Sequence, residues 1–336
     1  MTVMTMQAQG AAPAARDGGR RVRAARRVAG FGAAGSIGLY VLVKSLWVLG
    51  GLTGLLPDEL DVGRVEWVVL NVMTLGMGAL GIALGLALAQ PWGMRLPGVL
   101  VVGSAWLGAG FLVSMLPHTA LTALLVHGGR AEGMAEEAVR PFWDTVLITV
   151  GFAGMALGLL VATPLYFAER WPHTIGGTVG GNVAVTVRLL VLASSALVPA
   201  AMWTYWAVGG SQGLDAGTAG SRAPDVWLLD YVSAGWALLG VVSAAVLSLR
   251  RPRGLRRRVP VTVGFIASGS LFAWNAWRVP WVTLGEVGPM RSWPFALVEH
   301  GVAMVAGVAM LLVVLRSAAA AQPSTASRRA PVSHRS

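Results

Sequence analysis

Apolar residues fall in eight long runs along this chain, at about 30–54, 66–89, 97–116, 144–166, 186–208, 227–249, 260–277 and 294–316. None of them alternates polar and apolar with period two. A bilayer core of ~30 Å takes about 20 helical residues, and lipid leaves no backbone group a partner outside the segment. The pattern therefore predicts an all-α membrane protein with eight transmembrane helices. The seventh run is the least sharply bounded, because Asn275, Arg278 and Pro280 crowd its end. A ninth, shorter apolar stretch, Thr119 to His127, fits a helix lying in the interface. Before the first run, residues 1–28 are rich in Ala, Gly and Arg and read as a disordered basic arm. Residues 318–336 read as a disordered basic tail.

Polar residues between the runs set the orientation. Arginines gather in the arm, around Arg95, at Arg170 and Arg188, over Arg250–Arg258 and in the tail from Arg316. The alternate loops carry Asp58, Glu59, Asp61, Glu132, Glu136, Glu137, Asp215, Asp225 and Glu286. Six arginines also lie on that side, Arg64, Arg130, Arg140, Arg222, Arg278 and Arg291. The positive-inside rule then puts both termini in the cytoplasm of a cell whose plasma membrane holds the chain.

Landmarks recur in order along the chain. Leu46-Trp-Val-Leu-Gly-Gly-Leu-Thr-Gly-Leu55 returns as Tyr205-Trp-Ala-Val-Gly-Gly-Ser-Gln-Gly-Leu214, each closing an apolar run. Trp67 is answered by Trp227, Pro91 by Pro252, and Pro141-Phe142 with Gly154 by Pro294-Phe295 with Gly307. Four ordered matches predict a duplication. The expected repeats are 29–166 and 186–317, joined by a Gly-rich linker at 167–185. Four helices apiece make the copies parallel, related by an axis along the membrane normal. The Tyr205-Trp206-Ala-Val-Gly209-Gly210-x-x-Gly213-Leu214 stretch resembles the first-helix signature of a family of small four-helix membrane proteins common in actinobacteria. That resemblance implies two such units in tandem, and it supplies no chemistry. The first copy departs from it at Leu46 and Leu49.

Composition agrees with a membrane setting and narrows the chemistry. Hydrophobic residues make up 55% and charged residues 12%, so an ordinary soluble domain is excluded. The formal charge of +11 points to lipid headgroups and not to nucleic acid, since the arginines flank apolar runs without forming a separate face. With no cysteine there is neither a disulfide nor a thiolate metal site. No HExxH, Walker A or nucleophile-elbow motif occurs, so no enzyme activity and no cofactor is expected. His118 and His127 share one loop, and two ligands are too few to define a metal site.

Small residues spaced by four, Gly81/Gly85, Gly154/Gly158 and Ala303/Gly307, allow close helix crossings, within one chain or between chains. Charged and polar residues inside the runs form the candidate site, placed in the outer half of the membrane: Lys44, Asn71, Asp144, Asp230, Asn275, Glu299 and His300. An intramembrane charge costs about 3 kcal/mol and usually marks function. Lys44 fits such a site, or it snorkels past Trp47 to the headgroups. Glu299-His300 fits a proton relay or cation site, or a structural pair with Lys44 as one partner. Trp47, Trp67, Trp143, Trp203, Trp206, Trp227, Trp274, Trp277, Trp281 and Trp293 sit at the same level, mainly as an aromatic belt, with an aromatic-walled cavity as the other reading. Transport or binding of a small solute between two bundles leads. A non-catalytic partner or scaffold of an envelope complex is the alternative, with another membrane protein as its partner. A lipid-modifying enzyme is third.

Overall fold

A computed structural model describes residues 7–53, 64–126, 142–179, 187–215, 222–284 and 291–319. These residues are helical apart from turns and two isolated bridges, Thr178 with Arg256 and Leu214 with Arg291. Eight segments, of 19 to 35 residues, are long and apolar enough to cross a membrane. The chain divides into two compact units, Met1–Tyr166 and Phe167–Ser336.

In the first unit, α1 spans Gln7–Thr53, α2 Arg64–Ala89, α3 Gly98–Leu112 and α4 Phe142–Arg170, the last continuing into the second unit. Glycines set how close they come. A Cβ on Gly85 would lie 2.9 Å from the Ala34 amide nitrogen and the Gly30 carbonyl oxygen, so α1 and α2 touch backbone to backbone. On Gly158 it would lie 2.5 Å from Ala33 Cβ, and on Gly154 2.3 Å from Ser36 Oγ, so α4 crosses the same helix. The small-residue patterns thus serve crossings inside one unit. At one end, the Tyr166 hydroxyl donates to the Gly93 carbonyl at 2.6 Å, and Arg26 donates to the Leu88 carbonyl.

In the second unit, α5 spans Val187–Ser194, α6 Leu197–Ala207, α7 Pro224–Leu249, α8 Arg258–Leu284 and α9 Trp293–Ala319. Helix α8 packs against both α7 and α9, which also touch each other. Gly307 abuts the Ser268 carbonyl and Phe272 of α8, and Gly240 abuts Met310 of α9. The core between them is small-residue rich, with Ala193, Ala200, Ala237, Ala303 and Ala306 buried around Leu271, Met310 and Val313. With no hydrophobic driving force between helices in lipid, close packing of such residues is what holds the helices together.

Several boundaries differ from the expected ones. The basic arm is helical from Gln7, so that α1 runs 47 residues, about 70 Å at 1.5 Å per residue. Alanine and arginine are strong helix formers, and a helix already anchored in the membrane extends without a new nucleation step. The expected single helix at 186–208 is two, broken at Ser195-Ala196. Pro199 explains the break, since it has no N–H to give the Ser195 carbonyl and its ring crowds that group. As far as Val126 the apolar stretch expected at 119–127 is no separate helix: the chain stays helical from Gly98 through Val126. The seventh run is longer than expected, with α8 reaching Leu284. Residues 54–63, of which Gly54 and Leu55 close the first signature copy, and the tail beyond Ala319 lie outside the described residues.

Candidate functional site

The second copy of the Trp-Gly-Gly signature builds a wall. After Ala207 the chain leaves the helix through Gly209 and Gly213, at φ +99° and +79°. Tyr205 folds its ring over Gly210, where a Cβ would meet it at 2.4 Å, and its hydroxyl accepts from the Gln212 amide at 3.3 Å. The Trp206 indole donates to the Gln212 carbonyl at 2.9 Å. The Ser292 amide donates to the Gly213 carbonyl at 2.8 Å, which fastens the segment before α9 to this turn. In the first copy, by contrast, Gly50 and Gly51 are still inside α1. Gly213→Ala should therefore destabilise the unit clearly more than Gly209→Ala. Both carry the ~1–2 kcal/mol left-handed penalty, but only at Gly213 would the Cβ enter the Phe295 ring, at 2.5 Å. Thermal unfolding of the two variants in detergent measures the difference, and equal losses would contradict it.

Against this wall lies a buried charge network. Asp230 of α7 accepts from Arg291 Nη2 at 2.9 Å on one oxygen and from Arg222 on the other. Arg222 also donates to the Trp206 carbonyl at 2.7 Å. The Arg291 guanidinium stacks on the Trp206 ring, 3.9 Å from its centroid, and its Nε lies 3.4 Å from Glu299 Oε2. Glu299 Oε1 accepts from the Trp203 indole at 2.6 Å and faces Arg278 at 3.9 Å. Glu299 is fully buried and Asp230 and Arg291 nearly so, whereas Arg278 is 35% exposed. Two carboxylates thus share one arginine, and a second arginine completes the balance. In an apolar setting each unpaired charge would cost several kcal/mol, so the four groups depend on one another.

Beside it, Asn275 Nδ2 donates to the Leu271 carbonyl at 2.7 Å, which turns its Oδ1 toward His300 Nδ1 at 2.8 Å. An amide oxygen only accepts, so the imidazole carries its proton on Nδ1 in this pair. Glu299 and His300, adjacent on α9, point about 100° apart and take different partners.

Of the residues expected at the site, Asp230, Asn275, Glu299 and His300 are therefore grouped in the second unit. Lys44, half-buried, and Asn71, buried, belong to the first. The Asp144 side chain lies outside the described residues, as does His127. Glu299 meets Trp203, Arg278 and Arg291, all of its own unit. Trp227 and Trp293 are exposed as belt residues would be, but Trp203 and Trp206 are buried parts of the network. Arg222 and Arg291 were missed as site residues, because each lies in a loop just ahead of its helix. A spacing marks both: Arg222 stands eight residues before Asp230 and Arg291 eight before Glu299. Among the described residues no group of three or more His, Cys, Asp or Glu could hold a metal ion.

No protein-family model matches the chain, and no curated protein and no solved structure matches it either.

Proposed function

We propose that the chain is a multi-pass plasma-membrane protein, two parallel four-helix repeats with both termini cytoplasmic, that serves as a non-catalytic partner in a membrane complex. One observation carries the partner role: the intramembrane charges of the second unit are buried and spent on each other, Asp230 on two arginines and Glu299 on Arg291 and Trp203. A network of this kind fixes the ends of three helices in one arrangement, which is what a docking scaffold needs. Extraction of native membranes in mild detergent tests it. The chain should migrate within a defined assembly, and Arg291→Met should release it. Migration at its own 35.0 kDa plus bound detergent would contradict the partner role.

Binding of a small solute is the second reading, and a specific feature favours it. Arg222 Nε and Arg291 Nη1 are buried with no hydrogen-bond partner among the described residues, and Glu299 Oε2 has only the 3.4 Å ion-pair contact with Arg291 Nε, so two donors and a weakly engaged acceptor remain for a small polar molecule. Uptake or binding by the purified chain in vesicles, lost in Glu299→Gln, would favour this reading over the first. The topology has its own check. A reporter fused after Arg335 should be active only in the cytoplasm, and an active external fusion would mean an odd number of crossings.

A further inference from the structure

At the end of the second unit opposite the charge network, an arginine is buried with no carboxylate paired to it among the described residues. Arg257 ends the loop between α7 and α8, only 7% exposed, and its Nη2 has no hydrogen-bond partner among the described residues. Burial acts on its guanidinium, lowering its pKa from the usual arginine range, and among the described residues no neighbouring carboxylate opposes that effect. The rest of the loop adds more positive charge instead. Arg251, Arg253, Arg256 and Arg258 are all exposed around it. Glu169 is the one carboxylate that the described residues place at this end, and it is exposed.

The loop is also held in shape. The Arg257 amide donates to the Gly177 carbonyl at 3.1 Å and the Val179 amide to the Leu255 carbonyl at 2.9 Å, with Thr178 bridging Arg256. Arg250 turns the chain off α7 in the left-handed region at φ 59°, and Gly254 follows at φ 90°. The segment after α4 therefore clamps the arginine loop at the very level where α7 ends and α8 begins. A buried, uncompensated cation inside a fixed ring of exposed ones is poor packing on its own account. It is well suited to an anion with several acceptor oxygens, because guanidinium groups match phosphate geometry with paired donors.

We propose that Arg257 and the surrounding arginine loop form a binding site for a phosphate group, the phosphodiester of an anionic lipid headgroup or a free phosphate. Bases at a helix end facing the headgroup layer attract anionic lipid over a Debye length, and the buried guanidinium adds a short-range contact that the exposed ones lack. This site is independent of the partner role, since it shares no residue with the charge network.

The test uses the full-length protein in a neutral detergent, with thermal unfolding as readout. Three additions are compared at matched ionic strength: phosphatidylglycerol, phosphatidylcholine and sodium phosphate. Phosphatidylglycerol should raise the midpoint and phosphatidylcholine should not, and Arg257→Met should abolish the rise. Half-saturation by phosphatidylglycerol should be about tenfold weaker in Arg257→Lys, which keeps the charge but not the fork. The lysine variant also guards against failure of the methionine variant to fold. A rise with sodium phosphate that Arg257→Met removes would assign the site to free phosphate. Removal of Arg95 in the first unit, as Arg95→Gln, should leave the response unchanged. If neither phosphate source gives a rise that depends on residue 257, or if Arg95→Gln removes it equally, the site does not exist.

Discussion

Arg291→Met should lower the stability of the protein by about 3–5 kcal/mol, the range found when one partner of a buried ion pair is removed. Three interactions end at once. Asp230 loses its 2.9 Å bond, Glu299 loses the Nε contact at 3.4 Å, and the Trp206 ring loses the cation stacked on it. Asp230 keeps Arg222, so its charge stays compensated. Glu299 keeps only the Trp203 indole and the more distant, part-exposed Arg278. The damage should therefore concentrate on Glu299, and adding Glu299→Gln to Arg291→Met should recover a sizeable part of the loss. Unfolding in mixed micelles with increasing sodium dodecyl sulfate gives the four stabilities of the cycle. Arg291→Lys should fall between, since one ammonium cannot present the fixed fork that reaches two carboxylates. Additive losses, or a loss below about 1 kcal/mol for Arg291→Met, would mean that the network is solvated and carries no weight.

The eight crossing helices were legible in the sequence because a lipid-facing helix is apolar all round, and a run of 20 such residues has few other uses. Asp230, Asn275, Glu299 and His300 were legible for the complementary reason, as polar residues within those runs. Their partners were not, because Arg222 and Arg291 sit in turns and look like loop charges. Only folding of the signature turn brings them inward, through Trp206, Gly209 and Gly213. The eight-residue spacing from each arginine to its carboxylate is the trace that this leaves in the sequence. It is missing from the first half, where Val72 and Ile148 stand eight residues past Arg64 and Arg140. Helix ends were read less well than helices. Ala-rich polar sequence before Ala29 looked like a free arm, since composition does not show that a neighbouring helix will carry the fold outward. The break before Pro199 is a local steric effect, and hydropathy does not register it.

Gly85→Leu should separate α1 from α2, with an expected loss of about 3 kcal/mol or more, at the upper end of what overpacking costs. The crossing has no room to give. The new Cβ would lie 2.9 Å from the Gly30 carbonyl oxygen and 3.1 Å from Ala34 Cβ, and both belong to backbone or to the shortest side chain. Gly30 is equally confined from the other side, where a Cβ would lie 2.8 Å from the Gly85 carbonyl oxygen and 2.9 Å from Ala89 Cβ. Rotamer changes cannot relieve such contacts, so α1 must move away, and the dispersion contacts along that face go with it. Gly76→Leu on the same helix is the control, because a Cβ there meets nothing within 4 Å. It should be tolerated: lipid already favours the helical state, so the gain in helix propensity adds little and no change is the expected result. The same pair of variants separates packing within a unit from dimerisation through Gly81/Gly85. Loss of folded protein in Gly85→Leu marks an internal crossing. A folded Gly85→Leu chain that merely shifts from dimer to monomer in light scattering would place the glycine stripe on an outer face and overturn the α1–α2 contact.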